Sequence, residues 1–232
     1  MRFISALKND MHYQMKYGFY FLYAFISAVY VAVLLIIPDE YKKTAASIII
    51  LTDPTMLGLF FIGGIWLLEK REGLHGFCVI SPLCPIEYIL SKAVSLSIVS
   101  TLSALLIVLF GIREAFNFFV ISFSVFIGSM IFTIIGMITA SYARSVNQYV
   151  LIASPPAVFL TLPGILAAFG VSYIPLEIVP GTALWRMIAY SLGIIDKPVI
   201  WLWIVFPFWF CIVLYLANKR IPNAMQIEGS KI

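Results

Sequence analysis

The chain has 232 residues, of which 62% are hydrophobic, 16% aromatic and 11% charged, and its mean hydropathy is +1.02. Those values lie outside the range of soluble globular domains and define a membrane protein. The net charge of +4 has no aromatic-interleaved basic surface around it, which excludes a nucleic-acid-binding module and leaves topology and anionic lipid headgroups as the use for the excess charge.

Residues 1–17 place Phe3, Ile4, Leu7, Met11 and Met15 on one helical face, with Arg2, Ser5, Lys8, Asn9, His12 and Lys16 opposite. The pattern predicts an amphipathic helix lying in the membrane interface. The segment lacks a continuous apolar core and no small-residue cleavage site follows the next run, so the first span is expected to stay in the mature chain.

Charge-free runs long enough to cross a hydrocarbon core of roughly 30 Å, which takes about 20 helical residues, cover most of the remaining sequence. They occupy residues 18–37, 44–68, 93–112, 115–143, 145–176 and 198–218. Strands of a barrel would alternate apolar and polar side chains, whereas these runs are apolar all round, so the expected fold is an all-α, six-span membrane domain over 18–218 with a tail at 219–232.

The second run is interrupted only by Asp53, which is followed by Pro54. Two readings are open: an intramembrane carboxylate with a transport role, or an N-cap with proline at the first helical position near the outer boundary. The spacing back from Glu69 favours the cap. In the fifth run Pro155, Pro156 and Pro163 predict a kinked or broken helix, with Pro155 and Pro156 as a possible hinge on a substrate path. Residues 171–198 are too apolar for a solvated loop and predict short helices dipping into the outer leaflet, with Trp185 and Tyr190 at headgroup level.

An even number of spans puts both termini on one side. That side carries Arg2, Lys8, Lys16, Lys70, Arg71, Lys92, Arg144, Lys219, Arg220 and Lys231, against Lys42, Lys43, Arg113, Arg186 and Lys197 on the other. The positive-inside rule therefore predicts a multi-pass protein of the cell membrane with both termini cytoplasmic.

Residues 69–92 form the longest polar interval on that side. Glu69, Arg71 and Glu72 close the second span, Gly73 and Gly76 break the helix, and an apolar run containing Phe77 and Ile80 ends at Ser81 and Pro82. Pro85 and Glu87 then start the helix that carries Lys92 into the third span. Spacing allows either a transverse helix that docks into a partner's groove or an interfacial loop.

The catalytic and nucleotide-binding signatures are missing. His12 and His75 are the two histidines and both precede any suitable serine; there is no H-E-x-x-H and no G-x-x-x-x-G-K-[ST] loop. Cys78, Cys84 and Cys211 have no metal-like spacing and are read as reduced. The chain is thus expected to be non-catalytic, with no metal or cofactor of its own.

The strings DPTMLGLFFIGGIWLLEKREG and EKREGLHGFCVISPLCPIEYILSK, spanning residues 53–92, resemble the type-2 ABC transporter permeases, and in particular the small drug-export permeases of the fluoroquinolone-exporter type. Leu74, His75 and Gly76 stand where many members carry Thr-Leu-Glu. The resemblance implies a permease subunit that pairs with a second copy or homologue and with ABC ATPase subunits holding the ATP and magnesium. It also implies that residues 73–80 form a coupling helix in an ATPase groove, braced by the N-terminal helix, with an amphipathic drug, lipid or peptide as cargo. The competing classes are an ion-coupled carrier, which would need Asp53, and an intramembrane enzyme.

Overall fold

The computed structural model describes residues 2–76, 83–112, 114–171, 173–196 and 202–229. The described residues form ten helices and no strand: α1 (Arg2–Lys16), α2 (Phe19–Ile36), α3 (Asp39–Thr52), α4 (Pro54–Arg71), α5 (Pro85–Gly111), α6 (Phe118–Ala140), α7 (Val146–Ala168), α8 (Ile174–Glu177), α9 (Pro180–Ser191) and α10 (Leu202–Gly229). Six stretches are long and apolar enough to cross a membrane, with α3 and α4 together making one of 33 residues. Helices are the outcome physics demands of these sequences, because hydrocarbon offers no partner for a free N–H or C=O and a helix satisfies both internally.

The core is organised around α6, which packs most extensively on α4 and α5 and also touches α9 and α10. Small residues allow the close approach. A Cβ on Gly136 would stand 2.6 Å from the Leu59 carbonyl oxygen, and one on Gly63 would stand 2.1 Å from the Tyr149 ring. That ring is buried, and its hydroxyl donates to the same Leu59 carbonyl. Hydroxyl pairs tie the other seams: Ser27 to Ser103 at 2.6 Å joins α2 to α5, and Ser129 to Ser100 at 3.0 Å joins α6 to α5. Only 17% of α2 and 28% of α10 are buried inside the chain, against 61% of the α3–α4 span, so α2 and α10 form its periphery.

Pro54 has no N–H to offer the carbonyl of Ile50, and the adjacent Thr55 hydroxyl takes that place, donating to Ile50 O at 2.8 Å. The helix consequently bends between α3 and α4 without losing a buried acceptor. Asp53 N still reaches Ile49 O and Leu57 N still reaches Asp53 O. Asp53 stands at the N-cap position of α4 with proline in its first turn, and the Asp53 side chain makes no capping hydrogen bond.

Two expectations change. The fifth span is not broken: α7 runs unbroken through Pro155, Pro156 and Pro163, with Pro155 exposed and Pro156 half-buried. The tail at 219–232 is not a separate element as far as it is described, since α10 continues to Gly229 with Pro222 inside it. Short helices do occupy 171–198, but Trp185 is buried in the bundle, donating to Ser47 Oγ at 3.1 Å, instead of facing headgroups. α9 is pressed so tightly on α7 that a Cβ on Gly181 would stand 1.7 Å from Leu160 O.

Candidate functional site

The site lies at the end of the bundle that carries both termini, where the polar interval after α4 meets α1. α4 ends because Gly73 adopts φ 71°, a left-handed conformation that costs glycine nothing; its N–H closes on Lys70 O at 3.2 Å. α5 begins at Pro85 with Cys84 as N-cap, and the Glu87 carboxylate accepts from Cys84 N at 2.9 Å, completing a capping box. Both helices that flank the polar interval thus have defined ends.

Behind this interval a charged cluster is buried. Lys92, only 3% exposed, donates to Glu69 Oε1 at 2.5 Å and to Asp10 Oδ1 at 2.9 Å. The remaining carboxylate oxygens are also used: Tyr88 OH donates to Glu69 Oε2 at 2.7 Å and Ser91 Oγ to Asp10 Oδ2 at 2.6 Å. The ammonium also lies 4.8 Å from the centroid of the Tyr88 ring. His75 Nε2 stands 3.8 Å from Glu69 Oε2 and its ring is 4.3 Å from that of Trp66. One cation thus serves two carboxylates from two other helices, which is how a charge can be retained away from water.

The cluster decides how α1 docks. Gln14 is buried and donates to Ser95 Oγ at 2.7 Å, and Tyr17 OH donates to Glu72 Oε1 at 2.9 Å. Burial, together with Tyr17 and the carboxylates of Glu72 and Glu69, pushes the Tyr13 phenol well above its ordinary value and keeps it neutral. The face turned to the bundle therefore includes Asp10, Tyr13 and Gln14, while Ile4 and Met15 of the apolar stripe are exposed.

Of the sequence-predicted residues, Glu69 and Lys92 are brought into direct contact. Arg71 and Glu72 are exposed at the end of α4, Gly73 forms the turn, Gly76 is half-buried and Glu87 caps α5. Phe77, Ile80, Ser81 and Pro82 lie outside the described residues. Asp53 and Pro54, at the junction of α3 and α4, and Pro155 and Pro156, within α7, do not belong to this site. Asp10, Tyr88, Ser91 and His75 are partners that sequence reasoning missed: Asp10 and Lys92 are separated by 82 residues, and no local periodicity links them.

A bundle with six helical stretches long and apolar enough to cross a membrane, and a charged cluster buried at one end, defines a multi-pass membrane protein. The chain belongs to the fluoroquinolones export permease protein family, whose model matches residues 1–228. Among its relatives are the fluoroquinolones export permease proteins of two Mycobacterium tuberculosis strains, each 24% identical over 165 residues, covering 71% of this chain and 70% of theirs.

Proposed function

We propose that this chain is the membrane-spanning subunit of an ATP-driven ABC exporter in the cell membrane. Both termini lie in the cytoplasm, and the ATP is hydrolysed by a separate ATPase subunit docked against the segment between α4 and α5. The observation that carries this reading is the Asp10–Lys92–Glu69 cluster. It joins α1, α4 and α5 immediately behind the segment that resembles a coupling helix. A push on that segment can do mechanical work only if its two ends move as one body. Buried ion pairs with every carboxylate oxygen satisfied supply that stiffness. The cargo class is an amphipathic drug, lipid or peptide, and fluoroquinolones are the first compounds to try, since the relatives' names assign them that substrate.

The decisive experiment is reconstitution with a P-loop ATPase, sought first in the genes that neighbour this one. Wild-type protein is expected to co-purify with it, to stimulate its ATPase activity and to move norfloxacin in inverted vesicles only when ATP is present. Phe77→Asp, which puts a charge on the apolar run, should abolish both stimulation and transport while membrane insertion is kept. Normal ATP-driven export by that variant would sink the coupling assignment, and export that proceeds without an ATPase would favour an ion-coupled carrier instead.

A further inference from the structure

Asp53 is the one acidic residue inside the six apolar runs. It sits deep. The neighbouring Thr55 lies against Gly128, ten residues into α6 from Phe118, or about 15 Å from that end at 1.5 Å per residue. No basic side chain among the described residues is close enough to neutralise it. An unpaired carboxylate at that depth is costly, and it is retained where a sequence uses it.

Its surroundings are those of a cation receptor. Asp53 Oδ2 is inaccessible to solvent and has no hydrogen-bond partner among the described residues, while the Tyr30 side chain lies near the carboxylate. Tyr23 is only 2% exposed; its hydroxyl lies near Asp53 and Ser100 and completes no hydrogen bond. One turn along α4 from Asp53, Leu57 packs with Tyr23 and Val99, and Phe61 follows with its ring centroid 5.5 Å from Tyr23 and 5.0 Å from Phe19. The seam between α2 and α4 therefore offers aromatic faces leading up to an anion. On the far side a cavity of about 450 Å³ opens between the ends of α2, α3 and α5, lined by Ile37, Pro38, Lys42, Lys43, Ile112 and Glu114. Its lysines are matched by acids, Lys42 with Asp39 and Lys43 with Glu114, so the mouth does not repel a cation. Leu34, fully buried and packed on Gly111, lies on α2 between Tyr30 and the cavity-lining Ile37.

We propose that Asp53, with the hydroxyls of Tyr30 and Tyr23, is a membrane-embedded counter-ion site for the ammonium group of an aromatic, amphipathic substrate. The substrate enters along the α2–α4 aromatic seam and leaves past Leu34 into the far-side cavity. This deepens the exporter reading, on which it rests for direction of movement. The anion supplies a charge-assisted hydrogen bond, and the rings supply cation–π and apolar contact.

Binding is measured by equilibrium dialysis on the purified full-length chain in lipid nanodiscs at neutral pH, with three probes. Norfloxacin carries a protonated piperazine, N-acetylnorfloxacin has that amine neutralised, and nalidixic acid has no basic amine. Wild-type protein should bind norfloxacin about tenfold or more tighter than N-acetylnorfloxacin, a comparison that needs no variant. Asp53→Asn should lose about tenfold for norfloxacin while changing nalidixic acid binding by less than about twofold, and Asp53→Glu should recover part of the loss. Equal binding of norfloxacin and its acetylated form, parallel loss of norfloxacin and nalidixic acid in Asp53→Asn, or no norfloxacin binding by the wild-type chain overturns the site. Charge-selective binding without ATP-driven export would leave the site standing and overturn the exporter reading.

Discussion

Replacing Lys92 by methionine removes the charge at the centre of the terminal cluster while keeping a side chain of similar length. Lys92 is 3% exposed and holds Glu69 at 2.5 Å and Asp10 at 2.9 Å, so the variant leaves a buried and a half-buried carboxylate with Tyr88 and Ser91 as donors among the described residues and His75 nearby. Breaking one side of a buried ion pair typically costs about 3–5 kcal/mol. For a chain of this length each kcal/mol shifts the midpoint of thermal unfolding by roughly 2–4 °C. Multiplying the two ranges gives an expected fall of roughly 6–20 °C for Lys92→Met in detergent, followed by tryptophan fluorescence. Adding Glu69→Gln should recover a substantial part of the loss, because the amide still accepts from Tyr88 and no longer carries a charge. The two substitutions should therefore be strongly non-additive. A shift below about 2 °C for Lys92→Met, or simple additivity in the double variant, would show that the cluster is solvated and would remove the basis for treating α1, α4 and α5 as one rigid body.

Two other expectations can be read by the same melting assay. Gly136→Val pushes a branched side chain into the Leu59 backbone, where even a Cβ would stand at 2.6 Å from a carbonyl oxygen, and should destabilise by about 1–3 kcal/mol or more. Gly64→Ala, with nothing within 4 Å of its Cβ, should leave stability unchanged or raise it by roughly 0.5–1 kcal/mol; the reverse order would refute the close α4–α6 crossing. Thr55→Val removes the donor that serves the Ile50 carbonyl and should cost about 1 kcal/mol. Pro54→Ala restores a backbone N–H to the same acceptor, so it should reduce that cost. If Thr55→Val is equally harmful in both backgrounds, the hydroxyl is not the substitute for the missing amide.

Much of the architecture was legible because the bilayer enforces it locally. A run of about 20 apolar residues must be a helix in hydrocarbon whatever its neighbours do, so all six spans were found, though several helix ends lie eight or more residues from the ends of the apolar runs; the Gly73 turn and the start of α5 at Pro85 and Glu87 were legible too. Where the sequence misled, the cause was competition from distant groups. Periodicity showed the apolar stripe of α1 but not that Asp10 and Gln14 turn to the bundle, where Lys92 and Ser95 receive them. Trp185 suggested a headgroup anchor, yet Ser47 supplies its indole with an acceptor inside the bundle. Pro155 and Pro156 suggested a kink or a break, and α7 runs through both without a break.

The sequence by itself determined that this is a six-span, all-α membrane protein with a short polar interval between its second and third spans, since hydropathy, helix stops and caps act through neighbours along the chain. The tertiary structure alone decided which charges are partners. It paired Lys92 with Asp10 and Glu69, and it left Asp53 at depth beside tyrosines without a basic partner among the described residues. Pairing across 82 residues depends on helix packing, and the cost of a charge depends on what that packing brings beside it.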